Sequence, residues 1–239
     1  MPRTLIVVAG AGLTISFVCL SLASALGGGG VGPGWFFNRC EAFDTKATGG
    51  NSREFTWDGD DEVTINVPAS VHYRPDGGPT LIASGPPEVL RHLRVGNGRV
   101  AYDCRESGFD RALTLTLPGR PLQKFTLNGS SNLMLEDINQ PELKIRIRGK
   151  GAVRATGTAK NVDVSIAGSG EVHLGELAVQ NLDIRIAGSG EGEVAPQEQA
   201  DIHIAGSGKI RLLTQPHTLN THIAGSGRIV NAPPSSSAR

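Results

Sequence analysis

Aromatic residues are scarce in this chain: seven Phe, two Trp and two Tyr amount to 5% of 239 residues. A core with so few rings suits short stacked strands better than a globular helical domain. Net charge is lacking as well, because Lys plus Arg and Asp plus Glu balance at 23 each. No basic patch draws the chain to nucleic acid. Long apolar runs are limited to one, residues 5–26. It follows Arg3 and contains the small-x-small site Ala23-Ser24-Ala25, so 1–25 reads as a secretory signal peptide cut after Ala25. The run is also long enough to span a bilayer, and retention as an N-terminal membrane anchor is the alternative. Either way the remainder is exported, to the periplasm or the cell surface. Cysteine is limited to three residues, and Cys19 lies inside the apolar run. Cys40 and Cys104 are then a candidate disulfide in an oxidising compartment, against the alternative of two unpaired thiols.

Glycine is what the chain has in excess, at 32 residues. Some of it lies in the linker 26–42, where "GGGGVGPG" is followed by Trp35, Phe36 and Phe37. These three rings are expected to cap an end of the folded part, or else to touch a membrane surface. Residues 43–118 read as an irregular β half, with "EVTINVP", "SVHYRP", "PTLIASG", "HLRVGNGRVAYD" and "RALTLTLP" as strand-bearing segments. "PPEVLRHL" is expected to form at most one or two helical turns. The last residues, 232–239, are a Pro/Ser tail expected to be disordered.

Between 119 and 231 the sequence repeats. "IAGSG" occurs at 166–170, 186–190, 204–208 and 223–227. The apolar residue before each corner recurs at Leu127, Ile147, Ile166, Ile186, Ile204 and Ile223, in steps of 18–20 residues. Two residues later stands Gly129, Gly149, Gly168, Gly188, Gly206 or Gly225. A second glycine follows in every copy but the first, which has Ser131. Upstream, apolar residues alternate, as in Val162, Val164, Ile166 and Leu182, Ile184, Ile186. Period-two alternation puts one set inside and the other outside. Each repeat is therefore expected to run strand, Gly corner, strand, connection, with the six glycines as structural corners and their serines in a hydroxyl ladder. Repeats of this kind bury an apolar row only when stacked. The fold class is all-β, a parallel β-helix or β-solenoid with coils of 18–20 residues. A phosphate-binding loop does not fit, because no Lys follows the corners and no helix begins there.

The run "VDVSIAGSGEVHL…LDIRIAGSGEGEV…ADIHIAGSGKIRL…THIAGSGRIV", with "ASVHYRPDGGPTLIASGPPEVLRHLRVGNGRVAYD" upstream, resembles the bacterial family of putative auto-transporter adhesins with a head GIN domain. The resemblance covers about 43–231. It implies an exported β-solenoid of right-handed type and supplies no catalytic residues.

Outward positions form columns. Three before each anchor stand Lys144, Asp163, Asp183, Asp201 and Asn220; one before it stand Arg146, Ser165, Arg185, His203 and His222. Asp163, Asp183, Arg185, Asp201, His203 and His222 are the candidate binding residues. One reading makes them a catalytic or metal-binding strip, with His203, His222 and Asp201 as ligands, like the charged face of a β-helix polysaccharide lyase or hydrolase. The other makes them a solvated face whose opposite charges offset one another. No motif fixes further ligands or a nucleophile, so no catalytic residue, metal or cofactor is assigned. The expected function is a non-enzymatic structural or adhesive module at the cell envelope, binding an envelope component, a glycan or a protein. The alternative is the carbohydrate-active enzyme, which needs a long loop inserted between coils to wall a cleft.

Overall fold

The computed structural model describes residues 51–103 and 113–231. The signal or anchor segment, the linker, the tail and both cysteines of the expected disulfide lie outside the described residues. The elements are β1 (Ser52–Thr56), β2 (Glu62–Ile65), β3 (Ala69–Tyr73), β4 (Thr80–Ser84), the helix α1 (Pro87–Leu90), β5 (Leu93–Gly96), β6 (Arg99–Tyr102), β7 (Leu113–Thr116) and β8 (Lys124–Gly129). Four long strands follow: β9 (Asn132–Gly149), β10 (Ala152–Gly168), β11 (Glu171–Gly188) and β12 (Glu191–Gly206). The chain closes with β13 (Lys209–Leu212), β14 (Thr218–Gly225) and β15 (Arg228–Asn231).

The expected solenoid is present, and its coils are simpler than the repeat suggested. Each of β9 to β12 is one bent strand running from corner to corner, so the expected connection is itself strand. The bend falls where the register slips, between Arg154 and Thr156 on the β10–β11 side. Neighbouring coils pair in parallel with like on like: Val164 faces Ile184 and Ile184 faces Ile202, while Ile166, Ile186 and Ile204 form the next row. All six side chains are buried. Parallel strands about 4.8 Å apart bring these branched chains into contact and fill the narrow interior without rings.

The corners stack in the same way. At Gly188 φ is +128°, and an added Cβ would lie 2.4 Å from the carbonyl oxygen of Gly168 in the coil before. The next glycine, Gly190, has a different reason: it is buried, and a Cβ there would meet Ile166 Cγ2 at 2.8 Å and the Gly170 oxygen at 2.9 Å. The ladder along the corner is made of main chain rather than hydroxyls. Ser169 N donates to Gly149 O, Ser189 N to Gly168 O and Ser207 N to Gly188 O, each at 2.9 Å. The exception Ser131 is buried, and its hydroxyl donates to the Val67 carbonyl at 2.5 Å, which satisfies a group that would otherwise be costly to bury.

Parallel stacking reaches into the first half. β2 lies in register on β8, with Ile65 opposite Leu127, and β3 on β9, with Val71 opposite Leu133. β6 and β7 continue the stack beyond them. Antiparallel pairs occur only in this half among the described residues: β1 with β4, β4 with β7, and the β5–β6 hairpin. That hairpin turns at Asn97 and Gly98, both with positive φ, as a two-residue primed turn requires. Among the described residues the other end of the stack is bare, with no coil after β15. β14 and β15 have one neighbour each, β12 and β13. Ile223 keeps its inward register opposite Ile204, yet it is 40% exposed because no coil follows.

Candidate functional site

The residues before each corner build one flat outer face. Alternation on β9 to β12 and β14 turns every second side chain outward, and parallel register aligns them between coils. Lys144, Asp163, Asp183, Asp201 and Asn220 form one column. Arg146, Ser165, Arg185, His203 and His222 form the next. Both columns stand where the sequence places them.

Three carboxylates in line at strand spacing repel, and neighbouring donors offset this. Arg185 Nη2 donates to Asp183 Oδ2 at 2.5 Å. Asn220 Nδ2 donates to Asp201 Oδ1 at 2.7 Å and Gln199 Nε2 to its Oδ2 at 2.6 Å. These amide donors, Asn220 first, hold the Asp201 carboxyl below the usual carboxylate range. Asp183 Oδ1 is buried and has no hydrogen-bond partner. His203 and His222 stand side by side, ring centres 6.1 Å apart and tilted by 46°. Among the described residues no group of three or more His, Cys, Asp or Glu is placed to hold a metal ion.

A third column escaped the sequence reading, although the same alternation carries it two residues further from the corner. It contains Glu142, Asn161, Asn181, Gln199 and Thr218. Asn181 Nδ2 donates to Asn161 Oδ1 at 2.9 Å, so the amides run as a short ladder. This column and the carboxylate column flank a shallow depression of about 400 Å³, with Leu143, Val162 and Leu182 beneath. Asp163, Asp183 and Asp201 line it, whereas Arg185, His203 and His222 do not. The sequence candidates therefore divide into a groove wall and an adjoining cationic and imidazole strip.

Amides and carboxylates in this alternation offer donors and acceptors side by side, which suits hydroxyl or amide groups on a ligand. No inserted loop walls the groove, because β9 to β12 follow one another through corners of two residues. A second depression of about 190 Å³ lies on another face of the coils. There Arg211 pairs with Glu193 at 3.5 Å, and His173 Nε2 lies 3.5 Å from a Glu171 carboxylate oxygen. Among the described residues no helix is long and apolar enough to cross a membrane.

Comparison with known proteins places this geometry. No curated protein matches the chain. Among solved structures it is similar to a "putative adhesin" from Bacteroides fragilis NCTC 9343, 18% identical, with a TM-score of 0.58 over 76% of this chain and 96% of that one. A "putative lipid binding protein" from Parabacteroides distasonis ATCC 8503 matches at 18% identity and a TM-score of 0.46, over 76% and 96% of the two chains. A "putative adhesin" from Parabacteroides merdae ATCC 43184 matches at 14% and 0.45, over 76% and 95%. At such identities the likeness to the first is one of fold. The resemblance read from the repeats is borne out by the family model described as "Putative auto-transporter adhesin, head GIN domain", which matches residues 110–216 and with them five of the six glycine corners, Gly129 to Gly206.

Proposed function

We propose that this chain is an exported, non-enzymatic adhesive or structural module of the cell envelope, and that it binds through the flat face bearing the amide and carboxylate columns. The observation that carries the reading is the uninterrupted groove: polar groups repeat at coil spacing along it, and no loop closes over it. An open face of this kind gives many weak contacts to an extended ligand, which fits adhesion better than it fits enclosure of a reacting bond. The family description and the fold shared with an adhesin-named structure support the same reading. The apolar run at 5–26 supports export. The glycan-cleaving alternative would require a nucleophile or a paired acid and base in the groove. Two of its carboxylates are instead held by neighbours, Asp183 by an arginine and Asp201 by two amides.

The test is a glycan array and an envelope-fraction pull-down with the purified chain and with the Asn161→Ala/Asn181→Ala/Asp183→Ala variant. Retention of the parent on an envelope component or glycan, lost in the variant while its melting curve is kept, is the expected result. Equal retention of both proteins, or cleavage of a bound glycan, contradicts it.

A further inference from the structure

The three large apolar side chains that stand exposed among the described residues all lie on the last coil: Leu219 at 42%, Ile223 at 40% and Val230 at 38%. They coincide with an edge that no other described strand pairs. β14 spans eight residues, Thr218 to Gly225, and pairs only with β12. Edge strands normally carry Lys, Pro or a bulge that prevents another strand from adding. β14 has none of these and no Asp, Glu or Arg. The strand at the opposite extremity of the sheet, β1, does carry charge, in Arg53 and Glu54. Solenoids need a polar terminal coil to remain single, and this end has an apolar one.

We propose that the β14 edge pairs antiparallel with β14 of a second copy of this chain, about a two-fold axis passing at Thr221. In that register Leu219 stands opposite Ile223 of the other copy, Asn220 opposite His222, Thr218 opposite Ala224, and Thr221 opposite itself. Apolar meets apolar on the inward row, an amide meets an imidazole on the outer row, and no like charges face each other. An isologous contact of this kind closes at two copies and leaves neither β14 edge free for a further strand. Main-chain bonds between the two edges supply the affinity, as in other cases of strand addition.

The tail 232–239, "APPSSSAR", brings only alanine and proline as apolar groups, and so has little to set against the apolar row of this end.

Thr221→Cys in the full chain tests the contact, because opposed residues of an antiparallel pair have Cα atoms about 4.5–5.5 Å apart and so lie within disulfide range. On mild oxidation a dimer band is expected that the unsubstituted chain lacks, with a 221–221 linked peptide in its mass spectrum. A 221–221 peptide that never forms overturns the proposal, and a disulfide from residue 221 to Cys40 assigns the end to the N-terminal segment. A second pair of variants changes only exposed positions. Asn220→Lys/His222→Lys places like charges opposite each other and is expected to lower the dimer fraction at least several-fold. Asn220→Lys/His222→Glu places opposite charges together and is expected to preserve it. Equal dimer fractions in the two overturn the register.

Discussion

At Gly188 the main chain turns with φ at +128°, while at Gly190 no unusual angle is involved and the space taken by Ile166 and the Gly170 carbonyl excludes a side chain. One five-residue motif thus meets two separate demands, an angle and a volume, and a sequence reading alone assigns both glycines to the bend. Ser131 shows the difference, since it stands where the later coils have the second glycine and its hydroxyl reaches Val67. The outer face also has residue-level character. Asn220 and Gln199 favour the ionised form of Asp201 and lower its pKa. A carboxyl whose folded pKa is depressed contributes stability above its unfolded value, and that contribution is lost as pH falls through the folded pKa. Asp201 is exposed enough that the effect on stability stays below about 0.5 kcal/mol, so the carbon-13 chemical shift of its carboxyl is the better readout. Its midpoint is expected below that of an unperturbed aspartate, and Asn220→Ala is expected to move it upward. An unmoved midpoint removes the role given to the amide.

Each coil is an element in its own right, a single bent strand whose inner row is covered by the coils on both sides. Ile184 has Val164 below it and Ile202 above, and it is fully buried. Ile184→Ala is expected to cost about 2–5 kcal/mol, the range for removing an enclosed branched side chain. Leu219 occupies the corresponding kind of row in the last coil, with a neighbour on one side only among the described residues. Leu219→Ala is expected to cost less, about 1 kcal/mol, in the dilute protein, because that residue is already 42% exposed. Urea melts compare them, and similar costs would mean that the last coil is covered in the monomer. These rows were legible from alternation alone, as were the corners and the two outer columns. The first half was less so. "SREFT" hides β1 because its alternation carries Arg and Glu, and its partner β4 is joined to it by contacts distant in sequence. The Asn97-Gly98 turn was marked in the sequence by its dipeptide, yet the flanking residues read as one segment. The amide column needed the alternation to be followed two residues further from the corner than the carboxylates.

At the scale of the whole molecule, the stack has a mixed, partly antiparallel beginning, a regular middle and a bare end. The flat face runs along the regular middle, so its columns are only as straight as the corners that align them. Stability in such an array is close to a sum of coil terms and nearest-neighbour interfaces. Damage at one corner should spread to the coils beside it, whereas loss of an exposed side chain should not. This division, with architecture in the glycines and the proposed recognition on the outer columns, is tested most directly by denaturant melts of three single variants. Gly188→Val forces a branched side chain into positive φ and toward the Gly168 carbonyl, and it is expected to cost about 3 kcal/mol or more. Arg185→Ala and Asp183→Ala remove groups from the solvent face and are expected to cost under about 0.5 kcal/mol each. Small and equal shifts for all three variants would contradict the assignment of the repeated glycines to architecture and would return them to consideration as a ligand site.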